Sequence, residues 1–69
     1  MLLKELVFKI DLDAYVDITE EHGGEVYHGK IGEMPYRTIA QYEVVRITTN
    51  VRGVLEEARE EIVIFVKKV

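Results

Sequence analysis

The closing run Glu61-Ile62-Val63-Ile64-Phe65-Val66-Lys67-Lys68 constrains this chain more than any other stretch. Its β-branched and aromatic content marks a strand, and a strand sends successive side chains to opposite faces. Ile62, Ile64 and Val66 therefore point one way, and Val63 and Phe65 the other. A strand that is apolar on both faces needs cover on both. One side is the domain's own core. The other is covered by short helices of the same chain or by a second copy, which makes Val63 and Phe65 candidate interface residues.

The length sharpens that choice. A chain of 69 residues makes one domain, residues 1–69. A domain this small hides only about 60% of the surface its unfolded chain exposes. Disulfides, a structural metal or oligomerisation are the usual reinforcements. The chain has no cysteine, so disulfides and thiolate zinc sites are excluded and oligomerisation becomes the expectation. At 48% hydrophobic and 32% charged the composition is that of a globular protein and not of a disordered one.

Charge argues against some partners. There are 13 Asp and Glu against 9 Lys and Arg, whereas nucleic-acid binding draws most of its affinity from clustered cations. Here only Lys67 and Lys68 are adjacent, so nucleic acid is disfavoured. The opening MLLKELVFKI is interrupted by Lys4, Glu5 and Lys9 and lacks the apolar core of a signal peptide. No apolar run approaches the roughly 18 residues of a membrane span. The expectation is a cytoplasmic protein without a membrane segment.

Along the chain, Leu3, Leu6, Val7 and Ile10 have helical spacing, while Leu6, Phe8 and Ile10 alternate as in a strand; a short helix over 2–9 is the preferred reading. Tyr15 to Thr19 alternates, Glu20-Glu21-His22-Gly23-Gly24 is turn chemistry, and Glu25 to Ile31 alternates again, which predicts a β-hairpin. Gly29 inside the second strand signals a bulge or a close neighbour. Pro35 suits the first turn of a helix, so a helical turn over 35–40 is expected to pack Tyr36 and Ile39 inward. Tyr42 to Thr49 reads as a strand. Between it and the last strand, Val51, Val54, Leu55 and Ala58 have helical spacing around Gly53, suggesting one helical turn in a long hairpin connection.

Three stretches, Val26-Tyr27-His28-Gly29, Met34-Pro35-Tyr36 and Tyr42-Glu43-Val44-Val45-Arg46-Ile47, occur in this order. The layout resembles a group of short uncharacterised proteins of Firmicutes bacteria and their phages and mobile elements. In these a "lyxG" strand is followed by an "IPY" segment and a "YEVVSI" strand. The match covers about half of the chain, and Thr48 to Glu60 is longer than the group's usual tight turn. The resemblance implies a fold layout and a mobile-element origin, and it supplies no mechanism.

Asp11, Asp13 and Asp17 suggest a cation loop, but an EF-hand counted from Asp11 puts Tyr15, Val16 and His22 where a ligand, glycine and glutamate are needed. Turn and capping roles explain the aspartates better. His22 and His28, with Glu20, Glu21 or Glu25, could form a His/carboxylate zinc site, although no third ligand is fixed by spacing. The chain has no serine or cysteine nucleophile, and Thr19, Thr38, Thr48 and Thr49 do not follow a nucleophile elbow. Glu56-Glu57 and Glu60-Glu61 are carboxylate pairs, but a glycosidase pair must flank a cleft. His22-Gly23-Gly24 lacks the lysine and helix of a phosphate loop. The aromatics could form a stacking platform for single strands, with core packing the simpler account. The acidic stretch Glu56 to Glu61 reads as solvated surface, or as a dock for a basic partner.

The sequence therefore predicts a small α+β domain, a four-stranded, mainly antiparallel sheet of two hairpins with one or two short helices. The functional expectation is a non-enzymatic protein-interaction or accessory module, without cofactor or metal, that self-associates or binds another protein. The alternative is a nucleic-acid-associated module of a mobile element using the tyrosines with Arg37, Arg46, Lys67 and Lys68. A third reading is a metal sensor using Asp11, Asp13, His22 and His28.

Overall fold

A computed structural model describes residues 1–53 and 59–69, with the side chains of Thr38 and Arg52 left aside. The elements run α1 (Leu3–Val7), β1 (Tyr15–Glu20), β2 (Glu25–Lys30), a 3-10 turn (Ile31–Glu33), α2 (Tyr36–Ile39), β3 (Tyr42–Arg52) and β4 (Arg59–Lys68). The four strands make one sheet in the order β2-β1-β4-β3. The α+β class, the first hairpin and the strand pair β3–β4 are as expected from sequence.

The sheet is mixed. β1 pairs antiparallel with β2, and β3 with β4, but β1 and β4 run parallel at the centre. Burial explains why the hairpins meet there. Val16 and Ile18 on β1, with Ile64 and Val66 on β4, are fully buried, and side by side they bury their apolar rows against one layer of helix. β2 carries Glu25, His28, Gly29 and Lys30 and is left at an edge.

One face of the sheet is the core. Val16, Ile18, Ile64 and Val66 pack with Leu3 and Val7 of α1, Ile31 of the 3-10 turn and Ile39 of α2. α1 forms because its apolar positions repeat with helical spacing; beyond it the Lys9 N–H donates to the Leu6 carbonyl and the Ile10 N–H to the Val7 carbonyl, and an Asx turn then leads into β1. The Asp13 N–H donates to Asp11 Oδ1 at 2.9 Å, and the Ala14 N–H to the Asp11 carbonyl at 3.0 Å. These are the turn roles assigned to the aspartates from sequence.

Several local expectations need correction. The short helices cover only the Ile62–Ile64–Val66 face of β4; Val63 and Phe65 stand half-buried on the other, which no described helix covers. Pro35 precedes α2 as an extended residue (φ −64°, ψ 119°) and is not in its first turn. The first helical residue, Tyr36, is then 55% exposed and rests against Phe8, ring centroids 5.7 Å apart, while Ile39 alone packs inward. The strand expected to end at Thr49 continues to Arg52, so Val51 is extended and not helical. The rest of the expected helical turn lies outside the described residues.

Two tyrosines tie elements together at the core's rim. The Tyr27 hydroxyl donates to the Lys30 carbonyl at 2.6 Å, and the Tyr42 hydroxyl to Glu20 Oε1 at 3.1 Å. Desolvation pushes both phenols above their ordinary value, with Glu33 adding to the shift at Tyr27 and Glu20 at Tyr42. The unfolded chain therefore ionises these groups first as pH rises past about 10. It then binds fewer protons than the folded state, so stability falls with further alkalinity. Denaturant midpoints measured between about pH 9 and pH 11 should decline, and Tyr27→Phe with Tyr42→Phe should flatten the decline.

No helix among the described residues is long and apolar enough to cross a membrane.

Candidate functional site

The open face of the sheet is built from the odd residues of β1 and β4 and the residues paired with them. The register sets Asp17 against His28 on one side and Val63 on the other, with Thr48 beyond Val63. One row towards the start of β4, Tyr15 lies against Lys30, and Glu61 against Asn50. Towards the 21–24 turn, Thr19 lies against Phe65 and Phe65 against Arg46.

A polar cluster occupies the first of these regions. Glu61 is completely buried, and its Oε1 lies 3.0 Å from His28 Nε2 and 3.5 Å from Arg59 Nη2. The Arg59 guanidinium sits over the Tyr15 ring at 3.8 Å, and the Lys30 ammonium over the same ring at 5.7 Å. Nearby, the Thr19 hydroxyl donates to Asp17 Oδ1 at 3.1 Å. Further along, Arg46 sits over Phe65 at 4.3 Å. A carboxylate removed from water needs such cationic and hydrogen-bonding neighbours to remain tolerable.

Sequence reasoning placed Glu61 in a solvated acidic stretch, and the structure overturns that. The available signal was parity: in the strand assigned from Glu61 onward, Glu61 shares a face with Val63 and Phe65. Arg59, two residues earlier in β4, falls on that face too. The value of Tyr15 and Arg59 as a pair was missed because their strands are distant in sequence.

The metal-sensor residues are not brought together. Asp11 and Asp13 sit in the turn before β1, and His22 in the turn after it, a strand of six residues away, or about 20 Å at the usual rise. His28 is in mid-β2 and bonded to Glu61. Among the described residues no group of three or more His, Cys, Asp or Glu is placed to hold a metal ion.

No family model, curated protein or solved structure matches the chain. Function must therefore be argued from the surfaces themselves.

Two exposed apolar surfaces accompany the open face. Val7, Phe8, Leu12, Met34, Tyr36 and Ile39 line a shallow apolar cleft between the short helices. On β3, Val45, Ile47 and Val51 are exposed at 43%, 48% and 65%. β3 is an edge strand, and the amino terminus covers only its beginning. Leu2 bridges to Glu43, and the Val44 N–H donates to the Met1 carbonyl at 2.8 Å. From Val45 to Arg52 the outer edge meets no strand among the described residues.

Proposed function

We propose that this chain is a non-enzymatic protein-interaction module that pairs with a second copy of itself through the outer edge of β3. The observation that carries the proposal is a long edge strand whose apolar side chains are exposed. Such edges are templates for another strand, and proteins that must avoid pairing blunt them with charge, proline or a short length. Here Arg46 lies over Phe65. Two local devices blunt this edge, the register shift between Val44 and Arg46 near its start and the Asn50 side chain that takes the Val51 N–H at 3.0 Å near its end, and Ile47 to Thr49 lie between them.

An antiparallel pairing centred on Thr48 suits this edge. Val44 and Val51 turn their N–H groups outward, and the register shift at Val45 gives Ile47 and Thr49 the same direction as Val51. In that register Ile47 meets Thr49 of the second copy, and Arg46 meets Asn50, so no like charges lie opposite. Stacking the two open faces through Val63 and Phe65 is the other route to a dimer. It would take Asp17, Lys30, Arg46 and Arg59 out of water, which is electrostatically costly.

Light scattering over a concentration series tests the reading. The expected mass approaches twice the 8.0 kDa chain, and Ile47→Lys with Val51→Lys returns it to that of one chain with an unchanged circular dichroism spectrum. A wild-type mass of one chain at every concentration overturns the proposal. So does a dimer that persists in the double variant, or one that Phe65→Ala dissolves instead. The sequence resemblance suggests a small accessory protein of a mobile element as the biological setting.

A further inference from the structure

One end of the outer edge of β3 is occupied by the chain's own amino terminus. Leu2 bridges antiparallel to Glu43, and the Met1 carbonyl accepts from the Val44 N–H at 2.8 Å. This strap is anchored. The Leu2 carbonyl accepts from the Glu5 and Leu6 N–H groups at 3.0 and 3.3 Å, and Leu3 is fully buried in the core. At the other end of the edge the Asn50 side chain takes the Val51 N–H, and Gly53 turns with a positive φ of 94° just after the strand.

We infer that Met1 and Leu2 fix the register in which β3 pairs with a second copy, by filling its edge up to Val44 so that the two-fold axis falls at Thr48. The inference rests on the pairing proposed above and says what selects its register. A slip of one residue would turn the second copy's side chains to the wrong face, which leaves symmetric registers centred on Ile47, Thr48 or Thr49. Centred on Ile47, the second copy's strand after Thr49 would run along Val44 and Glu43, where Met1 and Leu2 lie. Centred on Thr49, Ile47 would face Val51 of the second copy, and the N–H that this pair needs is held by Asn50. Centred on Thr48, Ile47 and Thr49 face each other twice, and the bonds they exchange use only groups between the two stops. The second copy's strand then needs to run only to Asn50 before it reaches the strap, and Val51, whose N–H is already taken, is free to diverge. Without the strap the Ile47 register is favoured, because it aligns nearly the whole of β3, Tyr42–Arg52, with its copy. It also sets Ile47 against Ile47, a β-branched cross-strand pair.

The chain has no cysteine, so an introduced cysteine is unique and disulfide formation reads the register. Opposed Thr48 residues make a non-hydrogen-bonded pair with Cα atoms about 4.5 Å apart, within the span of a disulfide. The two Ile47 residues are then two positions out of line and about 9 Å apart, beyond that span. Under mild oxidation Thr48→Cys should crosslink into dimers and Ile47→Cys should not.

Deleting Leu2 puts the initiating methionine at position 2 and leaves no carbonyl to accept from Val44. In that background crosslinking should pass from Thr48→Cys to Ile47→Cys. A second variant lengthens the strap instead, and it decides the question where the deletion does not fold. Thr-Val-Thr-Val inserted between Met1 and Leu2 should cover the edge as far as Ile47 and return the light-scattering mass to that of one chain, with an unchanged circular dichroism spectrum. Crosslinking that stays at Thr48→Cys without Leu2, or a dimer that survives the longer strap, overturns the inference and leaves the β3 pairing standing. A wild-type mass of one chain, or a dimer in which neither cysteine crosslinks, overturns the pairing and the inference together.

Discussion

Ile64→Ala is expected to remove about half of the domain's folding stability. Ile64 is fully buried in β4, flanked in its row by Ile18 of β1 and Ile47 of β3. It therefore contributes to the parallel contact that joins the two hairpins as well as to the core beneath α1. Truncating a buried isoleucine costs about 2–5 kcal/mol, with the upper range where the surroundings cannot collapse into the space. A sheet paired on both sides of the residue collapses poorly. A domain of this length has only about 3–10 kcal/mol of total stability, so the loss is about half of it at the middle of both ranges. Ile47→Ala is the natural control. It is in the same row but 48% exposed at the edge of a single chain, so at a dilution where the chain is monomeric its cost should stay near or below about 1 kcal/mol. Urea denaturation followed by circular dichroism reads both. Losses of equal size would mean that the row is not organised around β4 as its burial indicates.

That row also shows where the fold was legible from sequence. The alternation of Ile62, Ile64 and Val66 against Val63 and Phe65 was readable because side-chain direction in a strand is a local property. So was the first hairpin, where Gly23 takes the positive φ (101°) that the turn requires. The parallel contact of β1 with β4 was not readable, because alternation says which face a residue occupies and nothing about which strand lies beside it. The continuation of β3 to Arg52 was obscured by two patterns sharing Val51, a strand pattern through Ile47 and Thr49 and a helical one through Val54, Leu55 and Ala58. Tyr36 faces outward on a helix of four residues, too short for apolar spacing to fix which side turns inward.

The candidate site divides in the same way. Its components, Tyr15, His28, Arg46, Glu61 and Phe65, are plain in the sequence, but their adjacency comes from three strand pairings. Glu61 looked solvated because Glu56, Glu57 and Glu60 precede it. Its burial depends on Arg59 and His28, which reach it from the same strand and from two strands away. The interaction surface on β3 depends on edge position, a topological property that follows only from the sheet order.

Gly29→Ala is the second large effect, and its causes can be separated. Gly29 sits in β2 opposite Val16 with φ at 151°, a conformation that residues with a side chain rarely adopt. Holding a non-glycine residue in such backbone costs about 1–3 kcal/mol. A Cβ there would also stand 2.9 Å from the Tyr27 hydroxyl and 3.3 Å from its ring carbon. The hydroxyl cannot move away freely, because it donates to the Lys30 carbonyl at 2.6 Å, a bond that contributes roughly 0.5–1.5 kcal/mol. Gly29→Ala should therefore destabilise by about 2–4 kcal/mol, the sum of backbone strain and a displaced hydrogen bond. Tyr27→Phe alone loses only the hydrogen bond. With both substitutions the nearest clashing atom is already gone, so the double variant should cost measurably less than the two single costs added. Strict additivity would assign the whole effect to backbone conformation. A neutral Gly29→Ala would mean that β2 readily leaves this geometry, and the Tyr27–Lys30 bond would then no longer explain the glycine.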